Sequence, residues 1–471
     1  MVLESGLLQE REERYELTGP LPPLAIPTTL HDSLMARLDR LATVKSLAQL
    51  GATLGREFSY ELLQAVAPWD EETLRHGLQQ LVAAEFLYQQ GLPPQAMYVF
   101  KHALIQEAAY QALLRSTRQQ YHQRIAQALE GRFPHICGTQ PELLAQHYSE
   151  AGLMTQAIPY WQRAGQRAIE RSAHVEAISH LTRGLELCKL LPETVERAQQ
   201  ELDLQMTLGS ALAATKGQAA PETGHAYNRA RELCQRVGET PQLFPVLGGL
   251  VPFYINRGEL QTALELGKQM LSLAQRVHDP AALGNAHIML GNALSFVGEM
   301  VTARTHLEQG ITLSKSQQHG SSSSPRDTYP VVLGLSRLAQ ALWHLGYSDQ
   351  ALQRSQEALT LARALSHPRS LATALIFAAG LYWCRREGQM TCEHAEAALV
   401  LSGEQGFAFR SAEATIQRGW ALAEQGQGQA GLAQIRQGLN DLRTTGTELN
   451  VSHLIMLAEA SGSVGQIQEG L

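Results

Sequence analysis

Residues 335–362 read LSRLAQALWHLGYSDQALQRSQEALTLA. A Leu- and Ala-rich helical run stops at Gly346, and a second run starts with the small Ala351 and closes on a late Ala. Gly admits the left-handed backbone that ends a helix. Ala lets the second helix lie close against the first, while Leu and Ala at i, i+3 and i+4 fill the seam between them. Leu264, Leu266, Leu271 and Ala274 show the same filling in an earlier copy. The pattern specifies a helical hairpin.

The hairpin recurs. Gly152 precedes Ala157, Gly258 precedes Ala263 and Gly298 precedes Ala303, with weaker copies turning at Gly388, Gly426 and Gly465. From Gly258 the intervals are 40, 48, 42, 38 and 39 residues. The longest contains Ser321–Ser324 and Pro325, which reads as a Ser-rich surface loop insertion near 316–330. One hairpin cannot bury its apolar face alone, so neighbours stack into a superhelix with a concave surface. Residues 141–471 are expected to form this array, with the last repeat incomplete.

These units resemble tetratricopeptide repeats, though they exceed the usual length of about 34 residues. The unit at 386–402 departs from the pattern, because Thr391 and Cys392 stand where the small Ala belongs.

The front of the chain reads differently. Residues 1–37 form a lead-in segment with the semi-rigid run Gly19-Pro20-Leu21-Pro22-Pro23. Thr28 or Thr29 is placed to cap a helix carrying Leu30, Leu34, Leu38 and Leu41. Residues 38–131 read as a compact domain. One helix holds Leu47, Leu50 and Leu54 and ends near Gly55, a second runs from Phe58 to Val66, and a third starts at Asp70. Phe86-Leu87-Tyr88 and Met97–Phe100, joined through the Gly-Leu-Pro-Pro loop at 91–94, predict a β-hairpin. A helix from about His102 to Leu114 follows. Three helices and a hairpin give a winged-helix outline. The expected fold class is all-α: a winged-helix-like domain with a small β-wing, then a tetratricopeptide-like α-solenoid.

IPTTLHDSLMARLDRL (26–41), QLGATLGREFSYELL (49–63) and FKHALIQEAAYQALL (100–114) resemble the region that follows the ATPase module in large bacterial signal-transducing ATPases (the STAND class). These end in a tetratricopeptide array, and many carry a class III adenylate/guanylate cyclase domain at the front. The resemblance implies that residues 1–37 are a remnant of the ATPase lid and linker. It also implies a fragment or one product of a split gene, because no GxxxxGK[ST] phosphate loop occurs. The sole Gly-Lys, Gly267-Lys268, falls inside a repeat helix. The resemblance further implies a role for His102. In such ATPases a His at the start of this segment contacts the β-phosphate of ADP, so His102 would sense nucleotide in an intact parent only. The sequence departs from that motif at Ala103, where an Asp often sits. The plain alternative is a helix-capping or core histidine.

Composition narrows the function classes. Apolar residues make up 44% of the 471 residues and charged residues 18%, as in a folded protein. Net charge is −7. Over 39–130 there are eight Lys/Arg against nine Asp/Glu, and residues 70–86, the would-be recognition helix, hold one Arg and four acids. A phosphate-facing helix has the reverse balance, so nucleic acid is not an expected partner. The longest apolar stretch, Leu371–Trp383, has 13 residues, below the roughly 18 that suggest a spanning helix. Five scattered cysteines without a CxxC fit a reducing, cytoplasmic setting.

Catalytic and metal motifs are missing from the sequence: it has no GxSxG, HExxH or SxxK. Cys392-Glu393-His394 with Cys384 has no second ligand pair at zinc spacing, and His174 and His180 do not share a helical face. No cofactor or metal is expected. Trp343, Trp383 and Trp420 recur in first helices, as core residues or as the wall of an aromatic groove. Asn256, Arg257, Asn292 and His344 are candidate groove residues on the same helices.

The reading is a non-catalytic scaffold or sensor arm that binds protein or peptide on the concave repeat surface and restrains an ATPase in its parent. Self-association through the C-terminal hairpin is expected, because an uncapped array exposes an apolar end. Two alternatives differ in class: a fragment or subunit of an ATP-binding nucleotide cyclase, and a transcription regulator.

Overall fold

The computed structural model describes residues 8–11, 14–17, 36–41, 44–238, 241–318 and 325–466. The chain divides into two compact units, Met1–Leu153 and Met154–Leu471. No helix among the described residues is long and apolar enough to cross a membrane.

The first unit opens with an antiparallel ladder of β1 (Leu8–Arg11) and β2 (Arg14–Leu17), a feature the linker reading did not foresee. The expected cap at Thr28 or Thr29 lies outside the described residues. Next come α1 (Lys45–Leu54), β3 (Glu57–Ser59), α2 (Tyr60–Val66) and α3 (Glu71–Ala83). They are followed by β4 (Leu87–Gln90), β5 (Met97–Phe100), α4 (Ala103–Gln111), α5 (Arg115–Arg132), α6 (Pro134–Thr139) and α7 (Pro141–Glu150).

The expected helix starting at Phe58 is corrected by the sheet. Glu57–Ser59 pairs antiparallel with β5, giving a three-stranded sheet in the order β3-β5-β4. Phe58 is drawn into the strand by aromatic packing, with its ring 5.9 Å from Tyr98 and 6.0 Å from Phe100. The helix starts one residue after Ser59, whose Oγ accepts from the Leu62 N–H at 3.1 Å. Asp70 caps α3 by accepting from the Thr73 N–H at 2.8 Å. The helix expected to reach Leu114 ends at Gln111, and Leu114, in extended backbone, starts α5.

Among its described residues the second unit is a run of antiparallel helices. They are α8 (Met154–Glu170), α9 (His174–Lys189), α10 (Val195–Thr215), α11 (Pro221–Val237) and α12 (Leu243–Asn256). Then come α13 (Leu260–Val277), α14 (Pro280–Val297), α15 (Met300–Gln318), α16 (Pro325–His344) and α17 (Ser348–Ala364). The last are α18 (Pro368–Cys384), α19 (Gly388–Gln405), α20 (Ala408–Glu424), α21 (Gly428–Thr444) and α22 (Val451–Ser463). Helix runs to 318 and resumes at 325, so the long interval mostly lengthens α15 and α16. The core of the expected Ser-rich insertion, 319–324, lies outside the described residues.

Turns at Gly258, Gly298, Gly346 and Gly426 adopt the left-handed backbone, at φ 72, 89, 86 and 85°. The expected turn at Gly388 is corrected. There the left-handed residue is Arg386, at φ 64°, and Gly388 is the first residue of α19. An Arg carries a Cβ penalty in this region. Its guanidinium is held by Glu459 of α22 at 2.5 Å, which offsets part of that cost. Ala263, Ala303 and Ala351 are fully buried in the seams, as their size predicts. Thr391 takes the same role in α19: it is fully buried, and its hydroxyl donates to Glu387 O at 3.0 Å.

The superhelix closes on itself. The loop after α21 reaches the turn between α10 and α11: Gly217 lies against Thr445, and Gly446 against Ala219. The Glu448 N–H then donates to Asn256 O at 2.8 Å.

Candidate functional site

Inside the second unit the even-numbered helices α12 to α22 line a cavity of 880 Å³, a size that suits a small ligand or a short peptide. Its wall follows helical spacing. Asn285, Met289, Asn292 and Phe296 stand on one face of α14, and Leu333, Arg337, Gln340 and His344 on one face of α16. Helix α18 adds Arg369, Phe377 and Gly380, and α20 adds Arg410, Glu413 and Gln417.

Arg337 is the centre of this wall. Its guanidinium lies 4.2 Å over the Phe296 ring and 4.5 Å over the Phe377 ring. One Nη1–H donates to Gln340 Oε1 at 3.0 Å, while the buried Nε has no hydrogen-bond partner among the described residues. Burial pushes its pKa down to about 9, with Glu413 acting in the opposite sense, so it stays charged at neutral pH.

Glu413 itself is engaged by Arg410, whose Nη1 donates to it at 2.6 Å. Burial works against the Arg410 charge, yet Glu413 and Tyr329 hold its pKa above the usual value. Burial alone would raise the Tyr329 phenol, but Arg369 and Arg410 pull it below its ordinary range. Arg369 lies 4.7 Å over the Tyr329 ring. Glu448 is the second carboxylate of the lining; it is exposed and sits where Asn256 meets the closing loop.

The amides of the wall are under-bonded. Gln417 donates from Nε2 to Ile376 O at 3.1 Å, which fixes its orientation and leaves buried Oε1 without a partner. Asn292 is only 4% exposed, and its Oδ1 is likewise unpaired among the described residues, as is that of Asn285. Buried polar atoms without partners cost about 1–3 kcal/mol each. Several on one wall mark a surface built for something else to complete.

The candidates from the sequence are distributed unevenly. Asn256, Asn292 and His344 line the cavity; Asn256 also donates to Gln218 at 3.0 Å. Arg257 lies outside the lining, paired with Glu259 at 3.4 Å. Trp420 is fully buried core, whereas Trp343 and Trp383 are half-buried and belong to the wall. His102 is the N-cap residue of α4, exposed and without a capping side-chain bond. His394 donates from Nδ1 to Met390 O at 2.8 Å, and burial pushes the Cys384 thiol up to about 11. His180 packs 5.4 Å from Trp161, and His174 6.0 Å from Phe407. No group of three or more metal-ligating side chains occurs among the described residues.

Sequence reasoning missed Arg337, Arg369, Arg410, Glu413 and Gln417. The signal was there: polar residues at i, i+3 and i+7 within apolar first helices, as in Arg337-Gln340-His344 and Arg410-Glu413-Gln417. Which of several polar stripes faces inward is a tertiary matter.

A tetratricopeptide repeat model matches residues 332–357. An uncharacterised protein of Rhizobium meliloti strain 1021 is 26% identical over 447 residues, which are 93% of this chain and 43% of that protein. The chain thus spans under half the length of that curated relative. Among solved structures, the STAND ATPase with a tetratricopeptide repeat sensor from Pyrococcus horikoshii superposes with a TM-score of 0.50 at 12% identity, covering 95% of this chain and 64% of that one. A Rap protein complexed with competence and sporulation factor gives a TM-score of 0.47 at 11% identity, over 66% of this chain and 85% of that one. The chain is a mostly helical, tetratricopeptide-like solenoid with a small sheet near its N-terminus.

Proposed function

We propose that this chain is a non-catalytic recognition module, the sensor arm of a signal-transducing ATPase, and that it binds a peptide segment in the cavity of its repeat superhelix. The observation that carries the reading is the pair of buried, unpaired acceptors, Asn292 Oδ1 and Gln417 Oε1, on a concave wall. An extended peptide presents N–H donors at regular intervals and is suited to complete them. The first unit supports placement in such an ATPase. Its order α1-β3-α2-α3-β4-β5, with the sheet order β3-β5-β4, is compatible with the winged-helix outline expected from the sequence, which in the resembled ATPases joins the nucleotide module to the repeats.

An array of short random-sequence peptides probed with the purified chain tests this. Binding of a defined subset is expected, and it should fall at least tenfold in the double variant Asn292→Leu, Gln417→Leu. No peptide binding, or calorimetric binding of ATP, ADP or GTP at a stoichiometry near one, would overturn the reading.

A further inference from the structure

We infer that the peptide carries a carboxylate, received edge-on by Arg337 with Arg369 as the second cation. This rests on the peptide reading above and adds the chemical class of the ligand. Two rings lie against the Arg337 guanidinium, Phe296 at 4.2 Å and Phe377 at 4.5 Å. The Nη1 side of its edge is engaged by Gln340. The edge without a partner among the described residues is Nε with Nη2, and Nε is buried. That edge is the fork which receives a carboxylate through two parallel N–H···O bonds.

Charge points the same way. Arg337, Arg369 and Arg410 face the cavity, and the one carboxylate among them, Glu413, is bonded to Arg410. The other lining carboxylate, Glu448, belongs to the closing loop beside Asn256. A cationic cluster in a chain of net charge −7 is a local construction and not a general property of the surface. A cation withdrawn from water between two rings is costly unless an anion meets it.

The orphan acceptors restrict the ligand further. Gln417 Oε1 is fixed as an acceptor by the bond that its Nε2 donates to Ile376. A fully ionised anion such as sulfate brings no donors for it, and a neutral peptide brings no counter-charge for Arg337. A peptide with an acidic side chain or a free C-terminus supplies both.

The test compares paired peptides on the full chain: Glu or Asp against Gln or Asn at each position, and free against amidated C-termini. The succinate dianion and sulfate serve as donor-free probes. Acidic members should bind about ten to a hundred times more tightly than their neutral twins. Arg337→Met keeps a long apolar stem between the rings and should erase that preference. Arg369→Gln should reduce it and provides a second check should Arg337→Met fail to fold. Equal binding of neutral and acidic peptides, or an unchanged preference in folded variants, would overturn the inference and leave the peptide reading standing. Binding of succinate or sulfate as tight as the best peptide would overturn it in favour of a small-anion site. Failure of every peptide would instead remove the peptide reading itself.

Discussion

His122 and His147 meet Nδ1 to Nδ1 at 2.8 Å in the interior of the N-terminal unit. One ring must donate and the other accept, so the pair is held together only while at least one ring is neutral. Tyr110 completes the chain, its hydroxyl 2.9 Å from His122 Nε2. Burial lowers His122 to about 4 and His147 to about 3, with Arg118 adding to the shift of the first and His122 to that of the second.

A group whose folded pKa lies below its unfolded value near 6.5 binds protons more readily in the unfolded state. The unit should therefore be at full stability above about pH 6.5 and lose stability as pH falls from there towards 4, by a few kcal/mol for the pair. Denaturant midpoints of residues 1–153 within the full chain, followed by hydrogen exchange between pH 7 and 4.5, check this. Flat midpoints across that range would refute it. His147→Gln should flatten part of the slope.

Glu459 accepts from two indoles, Trp420 Nε1 at 2.7 Å and Trp383 Nε1 at 3.3 Å, and pairs with Arg386. Burial alone would raise its carboxyl; the bonds from Arg386, Trp383 and Trp420 outweigh it and hold the pKa below the usual range. Glu459→Ala strands the N–H of the fully buried Trp420 and should cost about 2–3 kcal/mol. Glu459→Gln keeps one acceptor and should cost less. Urea unfolding followed by tryptophan fluorescence separates the two variants, and equal midpoints for Glu459→Ala and the parent would disprove the role.

Gly446 closes the superhelix. Its φ is 76°, and a Cβ there would lie 2.5 Å from Ala219 O. Gly446→Ala should lower stability by about 1–3 kcal/mol and raise exchange of the amides at 445–450 and 217–220. A change confined to the 446 side would show that the seam carries no load.

Gly380 sits inside α18 on the cavity floor, where a Cβ would meet Gln340 Nε2 and Gln417 Nε2, each at 3.5 Å. That is ordinary contact, so Gly380→Ala should fold and gain about 0.5–1 kcal/mol from helix propensity. Gly380→Leu should fill the floor and abolish peptide binding. Undiminished binding by a folded Gly380→Leu protein would place the ligand elsewhere.

Thr391 occupies a seam position built for Ala. Thr391→Ala should change stability by less than about 1 kcal/mol, and Thr391→Leu should cost about 1–3 kcal/mol through overpacking. Thermal unfolding of both variants decides it; a Leu tolerated without loss would mean that the α18–α19 seam has spare room.

Local rules explain how much of the molecule was legible in its sequence. Gly258, Gly298, Gly346 and Gly426 end helices where the chain says they should, because a left-handed turn is a property of one residue and its neighbours. Asp70 and the strands around residues 91–94 were legible for the same reason. Phe58 was not, because a three-residue strand exists only when β5 lies beside it. Arg386 was not, since a left-handed arginine beside the more permissive Gly388 is not what local propensity favours.

A stack of helical hairpins with small-residue seams follows from local pattern alone, since helical period, turn chemistry and side-chain size act over a few residues. The folded array alone brings Asn292, Arg337, Arg369 and Gln417 onto one wall and sets Gly217 against Thr445 and Gly446 against Ala219. Those meetings depend on the small rotation added at each repeat and summed over the array, a quantity that no single stretch of the chain contains.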